Sequence, residues 1–399
     1  MRRQIEGSKA VAETVARCRP AVVAAYPISP QTHIVERLSE LVASADLTGC
    51  EYLMVESEFG ALSACIGASA AGGRTYTATS SQGLLFMAEA LPNASGLGLP
   101  IVMTLANRAI GAPINIWNDH SDALSQRDAG WLQLFASSNQ EAVDLHVQAF
   151  AIAERTSLPV MVCMDGFVLT HAMEAIDVPD QDEVDAFLPA FRPRQWLDPD
   201  SPVTIGAMVG PDAFTEVKYL MARSQIEALD TVAEVAAEFG SAFGRDSGGL
   251  VRPYRTDDAE VVLVVMGSTF GSAQDVVDEL RADGVRVGVL AITCYRPWPF
   301  DEVREALRAI PRAVVVNRAI SVGAGSVLGR DVRLSAEPGT DVLDVVLGLG
   351  GRPVTRAALR GLLVDALAGQ LPLDELYFAD LDHEVIADQL DRDREEVAP

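Results

Sequence analysis

Cysteine is scarce in this 399-residue chain and never clustered: Cys18, Cys50, Cys65, Cys163 and Cys294 stand singly. No C-x-x-C pair marks a zinc site or an iron-sulfur cluster, and no spacing suggests a disulfide framework, so buried reduced thiols are expected. If the protein handles electrons, the metal sits on another chain. Lysine is scarcer still, limited to Lys9 and Lys218. Neither has the G-K-[ST] context of a P-loop, and Lys218 in "TEVKYL" is a weak sole candidate for Schiff-base chemistry, so ATPase and pyridoxal-phosphate activities fall away. No run approaches the roughly 20 apolar residues of a membrane-spanning helix. The start, "MRRQIE", lacks the apolar core of a signal peptide, and a cytoplasmic protein without membrane insertion is expected.

Basic charge is also short. Against 56 acidic side chains stand 31 basic ones, for a formal charge of −25. A polyanion would be repelled unless a local basic patch intervened, and none is visible, so no nucleic-acid partner is expected. The acidic balance reads as a solvated, like-charged exterior.

What is present is an alternation. "AVVAAY", "EYLMV", "TYTATS", "PIVMTLA" and "LPVMVCMD" read as strands, separated by helical patterns such as "EFGALSACIGASAAGG", "SQGLLFMAEALPNASG" and "NQEAVDLHVQAFAIAERT". Strands apolar on both faces predict a parallel sheet covered on both sides. From about Asp177 to Arg255 the rhythm lapses into an excursion and one long connecting helix ending near the glycines of "DSGGL". A domain boundary is expected close to Pro253. A second α/β unit follows, with strands "EVVLVVMG", "RVGVLAIT", "AVVVN" and "DVLDVVLGL" and a turn at "YRPWPF". The end, "HEVIADQLDRDREEVAP", reads as a docking helix or a frayed tail.

Ligands of open parallel sheets bind beyond the carboxyl ends of the strands. There the first unit places "YPISP", "ESEFG", "SSQG" and "NRAIGAP". Pro27 and Pro30 bracket Ile28 and Ser29 and stiffen the exit from the first strand. Glu56 and Glu58 open a helix of very small residues. Each is either an acid favoured by the helix dipole or a buried carboxylate able to share a proton with a ligand nitrogen. Arg108 ends an apolar strand, where its guanidinium needs an internal carboxylate or the acid group of a substrate. Ser80, Ser81, Gln82 and Gly83 offer amide donors at a helix start, or simply cap it. "NRAISVGAGSVLG" misses G-x-G-x-x-G by one residue and reads as a tight turn into a helix. His120, in "NDHSDALSQRD", is the only histidine amid other polar groups.

"YPISPQTHIVERL", "VESEFGALSACIGASAAGGRTYTATSSQGLLFM", "NRAIGAP" and "GLGGRPVT" occur in order over most of the chain and resemble the alpha subunit of the 2-oxoacid:ferredoxin oxidoreductases, of the pyruvate synthase type in particular. The resemblance implies a doubly wound parallel sheet that binds the pyrimidine of thiamine diphosphate (residues 1–252, excursion and connecting helix included). It further implies a smaller transketolase C-terminal-like α/β domain (253–370) and a charged tail (371–399). The implied activity is oxidative decarboxylation of a 2-oxo acid, with CoA as cosubstrate and ferredoxin as electron acceptor, or the reverse. Magnesium and the diphosphate fall to a beta subunit, [4Fe-4S] clusters to beta and delta partners, and a gamma subunit completes the complex. No G-D-G run followed by an asparagine appears here, which fits that division. Glu58 matches the glutamate that bonds the aminopyrimidine and favours the imino tautomer, whose nitrogen takes a proton from the thiazolium carbon. Arg108 and Ser29 match the groups that meet the substrate's acid, with serine where the family more often has threonine in "YPITP". Tyr26, Pro27, Ser81 and Gln82 fall on the cofactor-binding stretches. His120 and Asp122 lie in a loop similar in kind to the family's active-site loop, with no role assigned. Pyruvate is the expected substrate. Branched-chain, 2-oxoglutarate, oxalate and aryl 2-oxo acids remain alternatives, as does a subunit that only binds and positions a partner.

Overall fold

The computed structural model describes residues 2–373 and 375–397, and side chains up to residue 392. Two parallel sheets organise them. The first has seven strands in the order Cys294–Arg296, Leu132–Phe135, Val160–Asp165, Ile101–Asn107, Thr75–Thr79, Val22–Ala25, Glu51–Met54. All its neighbours are parallel except the outermost pair, Cys294–Arg296 against Leu132–Phe135. The four central strands, from Val160–Asp165 to Val22–Ala25, are almost wholly buried, as residues apolar on both faces require. The second sheet runs Tyr377–Phe378, Asp341–Val346, Arg312–Asn317, Val261–Val265, Val287–Ile292, Val251–Tyr254, with only the last strand antiparallel.

Several expected elements differ in detail. "YRPWPF" does not merely turn: Cys294–Arg296 adds an antiparallel edge to the first sheet, a place where Pro297 is harmless because no further strand needs its amide. "SQGLLFMAEALPNASG" is two helices, Ser81–Phe86 and Ala90–Gly96. Pro92 explains the break: it has no amide hydrogen and its ring displaces the carbonyl four residues earlier, at Ala88. The connecting helix, Pro211–Phe243, starts on a proline and stops at Gly244 (φ +66°), short of "DSGGL". Five strands carried no clear signal: Leu132–Phe135, the antiparallel pair Arg2–Glu6 and Met173–Asp177, and the second-sheet edges Val251–Tyr254 and Tyr377–Phe378. The tail forms the helix His383–Val397, whose described side chains are all exposed; Met1, Asp374, Ala398 and Pro399 lie outside the described residues.

The two sheets share apolar packing. Met103, Leu105 and Phe135 of the first belong to one continuous buried cluster with Val262, Val264 and Leu290 of the second. No helix among the described residues is long and apolar enough to cross a membrane.

On the opposite face of the first sheet, the helix Asn139–Thr156 buries His146 completely. Its Nδ1–H donates to Ala142 O at 2.6 Å, and its Nε2 accepts from Thr104, whose Oγ1 lies 2.6 Å from the Tyr76 hydroxyl. Burial pushes the imidazole down to about 4 from its ordinary 6.5. The unfolded chain therefore binds a proton that the native one refuses, and stability falls as pH drops from 6.5 toward 4. Relative to His146→Gln, the full chain is expected to lose roughly 2–3 kcal/mol between pH 7 and 4.5 in denaturant unfolding. A difference between the two proteins that does not change with pH contradicts this.

Candidate functional site

The parallel arrangement brings the carboxyl ends of five strands to one rim: Ala25, Met54, Thr79, Asn107 and Asp165. After Ala25, Tyr26–Pro30 leaves the sheet in a shape held from beneath by Gln31, whose buried amide donates to Tyr26 O at 3.0 Å and Ala78 O at 2.8 Å. Pro30 packs tightly on Gly166, where a Cβ would come within 2.6 Å of its ring. Tyr26 and Ser29 are exposed, and Pro27 lies between them, half-buried.

Glu58 is the first residue of the helix Glu58–Ala70, capped by Ser57, whose hydroxyl accepts from Gly60 N at 3.1 Å. It is only 7 % exposed, yet no group among the described residues hydrogen-bonds its carboxylate. Gly83 meets it across the gap: a Cβ there would lie 2.8 Å from Glu58 Oε1 and 2.3 Å from Thr79 Oγ1. Only glycine permits that approach. Glu56, by contrast, is exposed and accepts from Ser57 Oγ at 3.1 Å, a helix-start acid and no more.

No carboxylate among the described residues bonds the Arg108 guanidinium. Its Nη1 donates to Ser29 O at 3.0 Å and its Nε to Asn115 O at 3.1 Å. Burial pulls the guanidinium below its ordinary value while Asp122 opposes the shift. The exposed Ser29 and the half-buried Arg108 are thus brought together from separate strand ends.

Asp122 has a definite place. Fully buried, it accepts from Ser81 N (3.0 Å), Asn107 Nδ2 (2.9 Å), Arg108 N (2.9 Å) and Ala123 N (2.8 Å). Burial raises its carboxyl to about 7 even against these four donors. This clamp spends the Ser81 amide, and Gly83 N bonds Ser80 O at 2.9 Å, so two of the amides expected to face a ligand are used internally. Ser81 is turned inward: its hydroxyl donates to Ala109 O, and its φ of +46° is strained for a residue with a side chain. Gln82 lies against Gly111, where a Cβ would touch its amide nitrogen at 2.7 Å.

His120 belongs to a hub that the sequence did not reveal. Asp165, at the end of its strand, accepts from His120 Nε2 (2.7 Å), from Arg318 Nη1 (2.7 Å) and from the amide (3.0 Å) and hydroxyl of Ser268. Burial opposes its charge, but Arg318 and His120 overcome that and hold the carboxyl well below the usual range. Ser268 and Arg318 come from the second unit. The only hint in sequence was an acid closing the apolar run "VMVCMD" and an arginine closing "AVVVN".

No group of three or more His, Cys, Asp or Glu among the described residues is placed to hold a metal ion.

Residues 13–238 match the family described as pyruvate flavodoxin/ferredoxin oxidoreductase, thiamine diP-bdg, and residues 259–359 match pyruvate:ferredoxin oxidoreductase core domain II. The chain is 47 % identical to pyruvate synthase subunit PorA of Methanosarcina barkeri over 88 % of its own length and 89 % of that protein's. It is 38 % identical to the ketoisovalerate oxidoreductase subunit VorA of Pyrococcus abyssi, covering 92 % of this chain and 93 % of that one. Among solved structures, 2-oxoglutarate:ferredoxin oxidoreductase from Magnetococcus marinus superposes with a TM-score of 0.70 at 18 % identity, over 91 % of this chain and 65 % of that one. A split-gene transketolase gives 0.53 at 15 % identity, over 91 % and 98 %. These last two speak for the fold: a thiamine-enzyme sheet followed by a transketolase C-terminal-like unit.

Arg318→Met leaves Asp165 buried and short of its strongest cation. Breaking such a pair costs about 3 kcal/mol, a loss readable in denaturant unfolding of the full chain. A loss below about 1 kcal/mol would mean that His120 and Ser268 suffice.

Proposed function

Because the chain belongs to the alpha subunits of the 2-oxoacid:ferredoxin oxidoreductases, we propose that it supplies the pyrimidine side of a thiamine diphosphate site at which pyruvate and CoA are converted to acetyl-CoA and CO2, or the reverse. The electron pair passes to ferredoxin through partner subunits. The observation that carries this reading is Glu58: a buried carboxylate at a strand end, facing a glycine cradle and lacking any partner among the described residues.

Those residues fit the group. Thiamine diphosphate, when bound, supplies the carbon that adds to the 2-oxo carbonyl and accommodates the electrons freed with CO2. Glu58 exchanges a proton with the pyrimidine nitrogen from a pocket shielded from water. Tyr26 and Pro27, which follow the neighbouring strand Val22–Ala25, and Gln82, next to the Gly83 cradle, would contact the same cofactor, while Ser81 is held through Ala109. Arg108 and the Ser29 hydroxyl take the carboxylate of the 2-oxo acid, pinned to each other by the Arg108 to Ser29 hydrogen bond.

The site is half of one. Tyr26, Leu53, Met54, Phe59, Phe86 and Ile114 surround these strand ends with apolar surface, 36–83 % exposed. Such a patch supports coverage by another chain, and a beta subunit carrying the diphosphate and magnesium fits that place. Gamma and delta subunits and the [4Fe-4S] clusters complete the assembly, in the cytoplasm. Within the chain, the pyrimidine domain (1–252) gives way near Pro253 to the transketolase-like domain (253–370), whose sheet also takes in Val251 and Arg252 before that boundary and Tyr377–Phe378 from the segment 371–399, so that only the helix His383–Val397 is left as an appended tail. The matched segments on either side of Pro253 support that division.

In the reconstituted complex, Glu58→Gln is expected to lower kcat about 100-fold or more with assembly intact. Near-wild-type turnover would mean that Glu58 is not the activating acid. Across a panel of 2-oxo acids, pyruvate is expected to give the highest kcat/KM, and a branched-chain or 2-oxoglutarate preference overturns the pyruvate assignment. Arg108→Ala is expected to raise KM for pyruvate by roughly 10- to 100-fold, the loss of a charge-assisted pair.

A further inference from the structure

The glycine-rich turn "GLGGRPVT" of the second unit has no part in the site as described so far. It leaves the strand Asp341–Val346 with Gly348, Gly350 and Gly351 all at positive φ (+81°, +57° and +84°). It meets the loop that follows Arg108. Asn115 Nδ2 donates to Gly350 O at 3.0 Å, Gly350 N donates to Asp119 Oδ2 at 3.1 Å, and Gly351 N donates to Asn118 O at 2.7 Å. A Cβ at Gly350 would lie 2.5 Å from Asn115 Nδ2, and one at Gly351 would lie 2.3 Å from Trp117 Cβ. The turn is therefore bare where the loop touches it.

Asn115 is the pivot of this contact. Its side chain reaches the turn, its Oδ1 accepts from Trp117 N at 2.7 Å, and its main-chain carbonyl accepts from Arg108 Nε. Trp117 packs on Phe167 at 4.8 Å and its carbonyl accepts from Ala109 N at 2.9 Å, but Asn115 itself, with Asp119 and Gly350, borders a cavity of about 590 Å³ and follows the exposed Ile114. At Asn115 the hydrogen bonds to Gly350 O and from Trp117 N set the position of its carbonyl. That carbonyl is one of the two acceptors that aim the Arg108 guanidinium.

We infer that Asn115, held by the Gly350–Gly351 turn, is a positioning residue that orients Arg108 for the substrate's carboxylate, so that the second unit tunes substrate affinity across the interface. The inference rests on the reading of Arg108 as the carboxylate-binding group. Serine at position 115 keeps a short-range acceptor for Trp117 N but cannot span to Gly350. Alanine at position 350 disturbs the same contact from the other side.

In the reconstituted complex, Asn115→Ser and Gly350→Ala are each expected to raise KM for pyruvate about tenfold while lowering kcat less than threefold. In an Arg108→Ala background, Asn115→Ser should add no further rise in KM, because the group it aims is gone. A merely structural role would lower kcat in step with the rise in KM, or add its effect in that background, and either result overturns the inference. So does an unchanged KM in both single variants while Arg108→Ala raises it. An unchanged KM in Arg108→Ala itself overturns the reading of Arg108, and this inference with it. Should one of the single variants fail to fold, the other decides.

Discussion

The carboxylate of Asp165 ties the molecule together. It closes a strand of the first sheet, yet two of the residues that hold it, Ser268 and Arg318, belong to the second unit. A charge with so little contact with water is tolerable only because the Arg318 guanidinium and further hydrogen-bond donors surround it. Breaking the ring of donors would leave an uncompensated ion in the interior, so the interface is held in one registration. His120 carries the constraint onward: its ring is fixed by Asp165 and its amide by Arg318 O at 2.8 Å. The loop around it is thereby committed to one path across the rim.

From that path the polar geometry of the rim follows. Asp122, two residues beyond His120, gathers the amides of Ser81 and Arg108 from two strand ends and sets their spacing. Glu58 differs from all of these. The other buried acids of the rim have their donors already, whereas Glu58 faces the Gly83 cradle with no hydrogen-bond partner among the described residues. That contrast with the fully satisfied Asp122 and Asp165 is the observation on which the role proposed for Glu58 rests.

Much of this was legible in the residues. The central strands stood out because runs such as "PIVMTLAN" and "VMVCMD" are apolar on both faces; the rule for open sheets led to the segments "YPISP", "ESEFG" and "NRAIGAP", and the family resemblance then singled out Ser29, Glu58 and Arg108 within them. What stayed hidden was of another kind. Leu132–Phe135 is short and follows a glycine, and Cys294–Arg296 pairs with a segment some 160 positions away; such pairing leaves no local periodicity. Asp165 and Arg318 were invisible as partners because their meeting depends on how two units pack, a long-range fact. The inward turn of Ser81 escaped because nothing near it in sequence announces a positive φ without glycine.

The strand exchange also bears on how this chain can be handled. Cys294–Arg296 covers the edge of the first sheet at Leu132–Phe135, and that cover is encoded well beyond the long connecting helix. A fragment ending after that helix would present an uncovered row of backbone donors and acceptors next to Trp131 and Phe135, the usual template for edge-to-edge aggregation. During synthesis the same edge stays bare until the downstream segment has emerged. The half that carries Glu58 and Arg108 thus depends on the later half for its solubility as well as for its shape.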